Sequence, residues 1–267
     1  MKQSVVILGA RGSVPRNEAE FLRYGGATTC VVLRLAGQVV VLDAGTGMLN
    51  LANCLQEHET EIPVLLSHSH VDHILGLLMC PAVFDKKRTF DIYAAVRNGM
   101  KAEEQIRTLM SPPLWPIGPE VLPACLEFHD LPAGLMLGPI QVETMEGAHP
   151  GGVTLMRLNG GGKSVGFMTD CTLTNALFPK LTDFFRNCDL LLCDGQYSEQ
   201  EWKHRANFGH STWTEAARLG VESGAKQVRI IHHDPDHTDA ELDAAEQELL
   251  KIHPQCAFAC EGEEIVL

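Results

Sequence analysis

The sequence has no apolar run of the roughly 18 residues that a membrane-spanning helix needs. Its longest, from Ile74 to Phe84, is interrupted by Gly76 and Pro81. Positive charge is also scarce. Twenty-one Lys and Arg stand against 34 Asp and Glu, a net charge of −13, the wrong sign for gripping the phosphates of a long polynucleotide. The densest basic cluster, Lys86-Lys87-Arg88, reads as a solvated loop; a small anion remains acceptable to a local positive patch or to bound metals. Cysteine pairing is missing too. Nine cysteines are an odd number, without the paired spacing of a zinc knuckle or disulfide framework, and free thiols point to a reducing cytoplasm. Cys256 and Cys260 read as core residues near a buried strand. No secretory leader precedes the strand-like Ser4-Val5-Val6-Ile7-Leu8, so a soluble cytoplasmic protein is expected.

What remains is ordinary globular composition, 45% hydrophobic and 21% charged over 267 residues. A chain of that length buries about three quarters of its unfolded surface without staples. No repeat, low-complexity stretch or linker divides it, so a single domain over residues 1–267 is expected.

Period-2 and period-3.6 patterns alternate along the chain. Strands are expected at Ser4–Leu8, Thr29–Leu35 and Val39–Leu42, the last two joined by the turn Ala36-Gly37-Gln38. Gly45-Thr46-Gly47 ends the third, and Met48–His58 carries helical spacing. A strand over Ile62–Leu66, a helical stretch over 74–80, a helix from Lys101 to Met110 and the proline-rich loop 111–116 follow. The second half suggests strands at 139–145, 153–158, 164–169 and 189–193. Thr212-x-x-Glu215 and Thr238-x-x-Glu241 open helices ending near Gly224 and Ile252. The short strand Val228–Ile231 lies between these helices, and a last strand closes the chain. Strand pairs with helices in each half predict two sheets packed together and covered outside by helices.

The strongest chemical signal is Ser67-His68-Ser69-His70-Val71-Asp72-His73, between an apolar strand and an apolar helix. Three imidazoles and a carboxylate in six residues make little sense as a solvated face, and such donors suit zinc or a similar divalent ion. In an extended loop His68 and His70 fall on one side, while Asp72 and His73 can face a second ion. Further donors follow later strands: His149 in Gly147-Ala148-His149-Pro150-Gly151-Gly152, Asp170 after Val165–Thr169, and the pair His232 and His233 after Val228–Ile231. Taken singly, His149 reads as a loop histidine and Asp170 as a strand-end or cap aspartate.

With these residues in view, the chain resembles the metallo-β-lactamase superfamily, marked by H-x-H-x-D-H followed by separated His, Asp and His ligands. It is most similar to the phosphodiesterase branch, which includes ribonuclease Z and small cyclic phosphodiesterases. That branch carries a histidine opening a helix about 22 residues before the last ligand; Gly209-His210-Ser211-Thr212 and His232 match it. Leu42-Asp43-Ala44-Gly45-Thr46-Gly47 matches the family's early loop, so the resemblance covers nearly the whole chain. It implies an α+β fold, the four-layer αββα sandwich. It also implies two divalent ions, zinc by default with manganese or iron as alternatives. His68, His70 and His149 would hold one, Asp72, His73 and His232 the other, and Asp170 would bridge them. His233 replaces His232 if the register slips by one. The chain departs from the di-iron relatives, which have a glutamate at the position of His70, and from antibiotic-hydrolysing members, which have a cysteine at that of Asp170. No match is evident for the long basic arm with which ribonuclease Z grips tRNA, unless residues 84–125 hold a reduced one.

The implied function is a binuclear metal-dependent hydrolase acting on a small phosphodiester, cyclic ones included, through metal-bridged hydroxide. His210 would be the general acid, and Asp72 would add a proton-accepting role to ligation. Ser211 and the N–H groups of the following helix are candidates for a phosphate oxygen. Asp43 is either an acceptor for a ligand imidazole or a strand-end turn residue. Arg11, in a Gly-rich loop, either meets phosphate or belongs to a tight turn. Trp115 is a candidate for a pocket wall or a homodimer contact, and Asp234, Asp236 and His237 read as a solvated loop. The alternatives are a tRNA-processing endoribonuclease, a thioester or lactone hydrolase, and a non-catalytic metal-bound sensor module.

Overall fold

The computed structural model describes residues 2–267. The first half lays down β1 (Ser4–Gly9), β2 (Cys30–Leu35), β3 (Gln38–Leu42), α1 (Leu51–Cys54), β4 (Glu61–Leu66), α2 (Val71–Ile74), β5 (Thr89–Ala94), α3 (Ala102–Leu109) and β6 (Cys125–Asp130). The second half adds β7 (Gly134–Leu137), β8 (Ile140–Gly147), β9 (Val153–Gly160), β10 (Lys163–Met168), α4 (Phe178–Phe184), β11 (Leu190–Asp194) and α5 (Glu199–Arg205). It ends with α6 (Trp213–Ser223), β12 (Gln227–Ile231), α7 (Asp239–Ile252), β13 (Cys256–Phe258) and β14 (Glu264–Val266).

The strands form two seven-stranded sheets, β14-β1-β2-β3-β4-β5-β6 and β13-β12-β11-β10-β9-β8-β7. Side chains alternate between faces along a strand, and the burial follows that alternation. Val31, Leu33 and Leu35 of β2 join Leu158, Val165, Phe167 and Leu192 between the sheets. Their neighbour Val32 faces outward, with Val41, Val64 and Ile92, onto Met48, Leu51, Ala102 and Ile106. On the opposite outside face, Leu191, Cys193, Val228 and Ile230 pack on Leu181, Ala217, Leu219 and Leu242. Each sheet is thus buried on both faces, giving the expected four-layer αββα arrangement of an α+β fold. Among the described residues no helix is long and apolar enough to cross a membrane.

Several expected elements are differently built. The helix expected over Met48–His58 is a 3-10 turn, Thr46–Asn50, followed by the single turn α1. The Arg34 guanidinium donates to the Cys54 carbonyl at 2.6 Å, and Glu59 accepts the Gln56 N–H at 2.7 Å, so the chain's polar groups find partners outside a helix. The helical stretch expected at 74–80 is present as the end of α2 at Ile74 and a 3-10 turn, Leu75–Leu78, tightened after Ile74. There the Gly76 N–H goes to Ala44 O at 2.9 Å, and a Cβ on Gly76 would lie 2.0 Å from Gly45 O. The single closing strand is two, β13 and β14, in different sheets. Residues 84–125 hold no arm standing apart: β5 pairs between β4 and β6, and α3 buries Ala102 and Ile106 against β5. Trp115 packs on that same outer cluster rather than lining the cleft beside the histidines.

Candidate metal centre

The ends of β3, β4, β10, β11 and β12 meet at one edge of the sandwich, and the chemistry collects there. Three strand-end residues with side chains, Asp43, Asp170 and His232, have φ of +56°, +48° and +63°. The left-handed region suits Asp and His better than most residues, at a cost of about 1–3 kcal/mol each. The sharp turns aim these side chains back across the strand ends instead of along them.

Three donor groups share Asp170, one of them completed by Asp194, His210 and His232, and the other two drawing on the histidine run. Of those two, His68, His70, His149 and Asp170 form one; Asp72, His73, Asp170 and His232 form the other, with the offered atoms of each group within 4.8 Å of one another. In the first, His149 Nε2 lies 3.1 Å from His70 Nδ1, and the Asp170 Oδ2 oxygen lies 3.6 Å from His149 Nε2 and 3.7 Å from His68 Nε2. In the second, Asp170 Oδ1 lies 3.1 Å from Nε2 of both His73 and His232, and Asp72 Oδ2 lies 3.3 Å from the same two nitrogens.

The hydrogen bonds fix which nitrogen of each ring faces the cluster. His149 Nδ1 donates to Gly209 O at 3.0 Å, His232 Nδ1 to Gln196 Oε1 at 3.2 Å, and His73 Nδ1 to Asp43 Oδ2 at 2.7 Å. The Ser67 hydroxyl gives its proton to Asp43 Oδ2 at 2.8 Å, so the 3.0 Å contact with His68 Nδ1 is donated by the imidazole. Each of these rings is anchored through Nδ1 and turns Nε2 inward, the arrangement of a ligating histidine with its other N–H tied to protein. His68 Nε2 and His73 Nε2 are buried without a hydrogen-bond partner. Buried polar atoms left unpaired are costly, and inward nitrogens and carboxylate oxygens in this number suit a pair of divalent ions.

The electrostatics follow from burial and mutual charge. Burial lowers the pKa of His68, His70 and His149, holding them neutral. Burial also opposes charge on His73 and His232, but the neighbouring carboxylates outweigh it. Asp170, Asp72 and Asp43 raise His73 well above the ordinary value, and Asp170 chiefly raises His232 to about 9. Burial works against ionised Asp170 and Asp72, yet the imidazoles keep both pKa values below the usual carboxylate range. Asp72 is further positioned by the Ser13 N–H at 2.8 Å on its Oδ2 and by the Thr28 hydroxyl at 2.7 Å on its backbone carbonyl.

His210 closes one wall. Its ring stacks on His232 with centroids 4.8 Å apart and meets His149 edge-on at 5.2 Å. Its Nδ1 lies 2.9 Å from Asp194 Oδ2. Asp194, fully buried at the end of β11, is absent from the residues that the sequence reading picks out. A signal for it exists: a carboxylate at the end of an apolar strand ahead of a glycine, in Leu190–Asp194 and Gly195, as Asp43 directly follows β3 just before Ala44-Gly45.

Other expectations need correction. Arg11 does not reach the site. Its guanidinium is buried and donates to the carbonyls of Gly25, Asp234 and His237 at 3.0, 3.1 and 2.9 Å, so it ties three segments together. Ser211 is likewise internal, donating to Cys171 O at 2.6 Å and accepting the Leu173 N–H at 2.9 Å. The N-terminus of α6 is occupied as well: the Glu215 N–H goes to the Thr212 hydroxyl and the Trp213 N–H to Tyr197 O. His233 points away, its Nε2 donating to Ala259 O at 2.8 Å, and burial lowers its pKa to about 3. Asp234 and His237 are buried rather than solvated, and Asp234 accepts from the Arg205 guanidinium at 2.7 Å.

Known proteins share this architecture. The chain is 23% identical over 302 residues to the ribonuclease Z of Treponema pallidum, covering 95% of this chain and 94% of the relative. Its fold superposes on the metallo-β-lactamase fold protein YhfI of Bacillus subtilis with a TM-score of 0.74 at 20% identity, covering 99% of each chain. A diphosphatase of the PhnP family gives 0.70 at 17% identity, over 100% of this chain and 98% of that one. The family model described as Beta-lactamase superfamily domain matches residues 38–233, from the first residue of β3 to the residue after His232. The chain belongs to the beta-lactamase superfamily.

Proposed function

We propose that this metal-dependent hydrolase is a phosphodiesterase acting on a small phosphodiester, with residues 1–267 as a single domain. The observation that carries the reading is the contact between His210 and Asp194, 2.9 Å long, beside a donor set that suits two ions. In this reading His68, His70 and His149 would hold one divalent ion, Asp72, His73 and His232 would hold the other, and Asp170 would contribute to both. Zinc is the metal we propose, since every donor around the two positions is imidazole or carboxylate. Bound there, such a pair supplies Lewis acidity toward a phosphoryl oxygen and lowers the pKa of water toward neutrality.

The chain's own groups do the rest. Asp194 engages His210 Nδ1 and leaves Nε2 to give a proton to the departing oxygen, a step worth roughly 100- to 10,000-fold. The Ser13 N–H and the Thr28 hydroxyl hold Asp72 in place. Gly209 O and Gln196 Oε1 keep His149 and His232 turned inward.

Net charge supports a small substrate over a long polyanion. So does length: the alignment to the Treponema relative runs over 302 positions, more than the 267 residues here, so part of that relative has no counterpart. A second reading, cleavage of tRNA precursors, is favoured by that relative's being a ribonuclease Z matched along 94% of its length. The test is turnover by zinc-loaded protein across 4-nitrophenyl phosphodiesters, cyclic nucleotides, a thioester, a lactone and a tRNA precursor. Phosphodiester cleavage with negligible RNA processing is expected. Thioester or lactone turnover alone refutes the reading, and efficient precursor cleavage transfers it to the second.

A further inference from the structure

We infer that Arg205 and Glu201 are positioning residues of the metal centre, and that α5 with the turn after it forms a strap, residues 198–210, whose docking is coupled to metal loading. The inference rests on the two-ion donor set of the reading above and not on the substrate. It adds what keeps that donor set aimed.

The strap is a closed excursion. Tyr197 bridges to Thr212 at its base, and the Trp213 N–H goes to Tyr197 O. Between those points neither α5 nor the 3-10 turn Ala206–Phe208 buries any residue, so little apolar area holds the strap down. Segments with few buried apolar contacts open at free energies well below that of global unfolding. The docking is polar instead. The Arg205 guanidinium donates to Asp234 Oδ2 at 2.7 Å and sits over the Tyr197 ring at 5.2 Å. His237 Nε2 donates to Glu201 Oε1 at 2.8 Å, Trp202 Nε1 to His210 O at 3.2 Å, and the Thr212 hydroxyl to Glu199 Oε1 at 2.9 Å. Asp234 and His237 lie in the segment that follows His232, so α5 is tied to the chain that carries a metal donor.

Two routes lead from the strap to the imidazoles. The first is direct: at the strap's end Gly209 O accepts from His149 Nδ1 at 3.0 Å. That approach needs glycine, because φ is +95° and a Cβ there would lie 2.2 Å from the same nitrogen. The second is a relay. Asp234 Oδ2, which takes Arg205, also accepts the Gln196 amide N–H at 3.4 Å, and Gln196 Oε1 accepts His232 Nδ1 at 3.2 Å. A carboxylate on the nitrogen end of Gln196 leaves its oxygen for His232. Each ion position thus has one ring whose aim depends on the docked strap, His149 in the first donor group and His232 in the second. When the strap lifts, Gly209 O leaves His149, and the buried Asp234 loses the Arg205 cation, which is costly. The apparent Kd for metal then rises as the docked fraction falls. By reciprocity, bound metal favours docking by the same factor.

The experiment uses the full chain, apo and zinc-loaded, with zinc as the probe. Hydrogen exchange of the peptide spanning 198–210 is read by mass spectrometry, and zinc affinity by competition with a chromophoric chelator. Zinc is expected to slow exchange in α5. Arg205→Met keeps an unbranched apolar stem and removes the cation. It is expected to speed α5 exchange in the apoprotein and to weaken zinc binding about tenfold, and saturating zinc should restore the protection. Arg205→Lys should recover most of the affinity. Arg218→Met, in the exposed pair with Glu222, should change neither reading. Exchange across β9 and β10 monitors the fold; should Arg205→Met disturb it, Glu201→Gln carries the same test with a smaller expected loss. An α5 that exchanges equally fast with and without zinc, or folded variants with wild-type zinc affinity, overturns the linkage while two bound ions leave the donor reading standing. A wild type that binds no zinc overturns both.

Discussion

Asp194 Oδ2 lies 2.9 Å from His210 Nδ1 and 3.0 Å from the backbone nitrogen of Cys171, so one carboxylate holds both the candidate acid and the residue directly after Asp170. Its other oxygen accepts the Gln196 N–H at 3.0 Å, in the segment whose side chain anchors His232. His210 and the segment that carries Asp170 are therefore positioned from a common point at the end of β11.

That arrangement separates the two residues kinetically. His210→Ala is expected to lower kcat by about 100-fold or more on diesters with alkoxide leaving groups. On 4-nitrophenyl esters the loss should be small, because that leaving group departs without a proton. Asp194→Asn should lower both, since it also loosens Asp170, and should reduce bound metal about tenfold. A His210→Ala defect of equal size on both leaving groups would remove the acid role.

Metal removal should be felt as stability. Without cations, His68 Nε2 is buried with no hydrogen-bond partner and His73 Nε2 has only the carboxylates of Asp170 and Asp72 beside it, and the ions bind the folded chain alone. At free metal about a thousandfold above Kd the stabilisation amounts to about 4 kcal/mol. Chelation is expected to lower Tm markedly and abolish turnover, and added zinc should restore both. A melting curve indifferent to chelator would contradict the donor assignment.

Far from the site, Asp189 predicts a pH dependence. Burial pushes its carboxyl toward protonation, but Lys226, the Ser164 N–H and Lys163 outweigh it and hold the pKa below the usual value. Lys226 Nζ lies at 2.8 Å and the Ser164 nitrogen at 2.9 Å. A depressed folded-state pKa contributes stability present above the unfolded value and lost as pH falls through the folded one. Asp189→Asn should therefore cost roughly 1 kcal/mol at pH 7, and the gap to wild type should narrow as pH falls from the usual carboxylate range toward the depressed folded-state value. Denaturant titrations at pH 7 and pH 3 check it; a gap that stays constant would rule out the ionic account.

Much of this is legible in the sequence because strands that bury both faces, or that lead into a histidine run, leave strong patterns. β4 runs into His68, β10 into Asp170 and β12 into His232, and the Thr238 capping box is formed as its spacing predicts. The elements that escape such a reading carry weaker signals. α5 buries none of its residues and stands on the Ser198–Glu201 capping box, so it shows no apolar stripe. β5 and β6 do alternate, with Phe90, Ile92, Leu126 and Phe128 on one side, but Asp91, Glu127 and His129 between them dilute the run. Arg11 misleads for a different reason: a guanidinium after a Gly-rich loop looks the same in sequence whether it faces phosphate or backbone carbonyls. Only the fold brings Gly25, Asp234 and His237 around it.

Asp43 offers the sharpest test of how the donors are aimed, because one carboxylate fixes two rings. It accepts His73 Nδ1 directly and the Ser67 hydroxyl, which in turn accepts from His68 Nδ1. Its second oxygen takes the Ser67 N–H at 2.7 Å. An asparagine has one acceptor oxygen for these tasks, and its amide group would meet donors: whichever way it flips, His73 Nδ1 or the Ser67 N–H faces N–H groups. Relief comes most cheaply by moving the His73 proton to Nε2, which blocks the nitrogen that faces Asp170 and Asp72. Asp43→Asn is thus expected to weaken metal binding about 10- to 100-fold, with folding retained because the change is isosteric. Ser67→Ala cuts only the link to His68, so its loss should be smaller. Metal titration of the apoproteins decides the matter: equal effects of the two substitutions would mean that Asp43 does not act through His73.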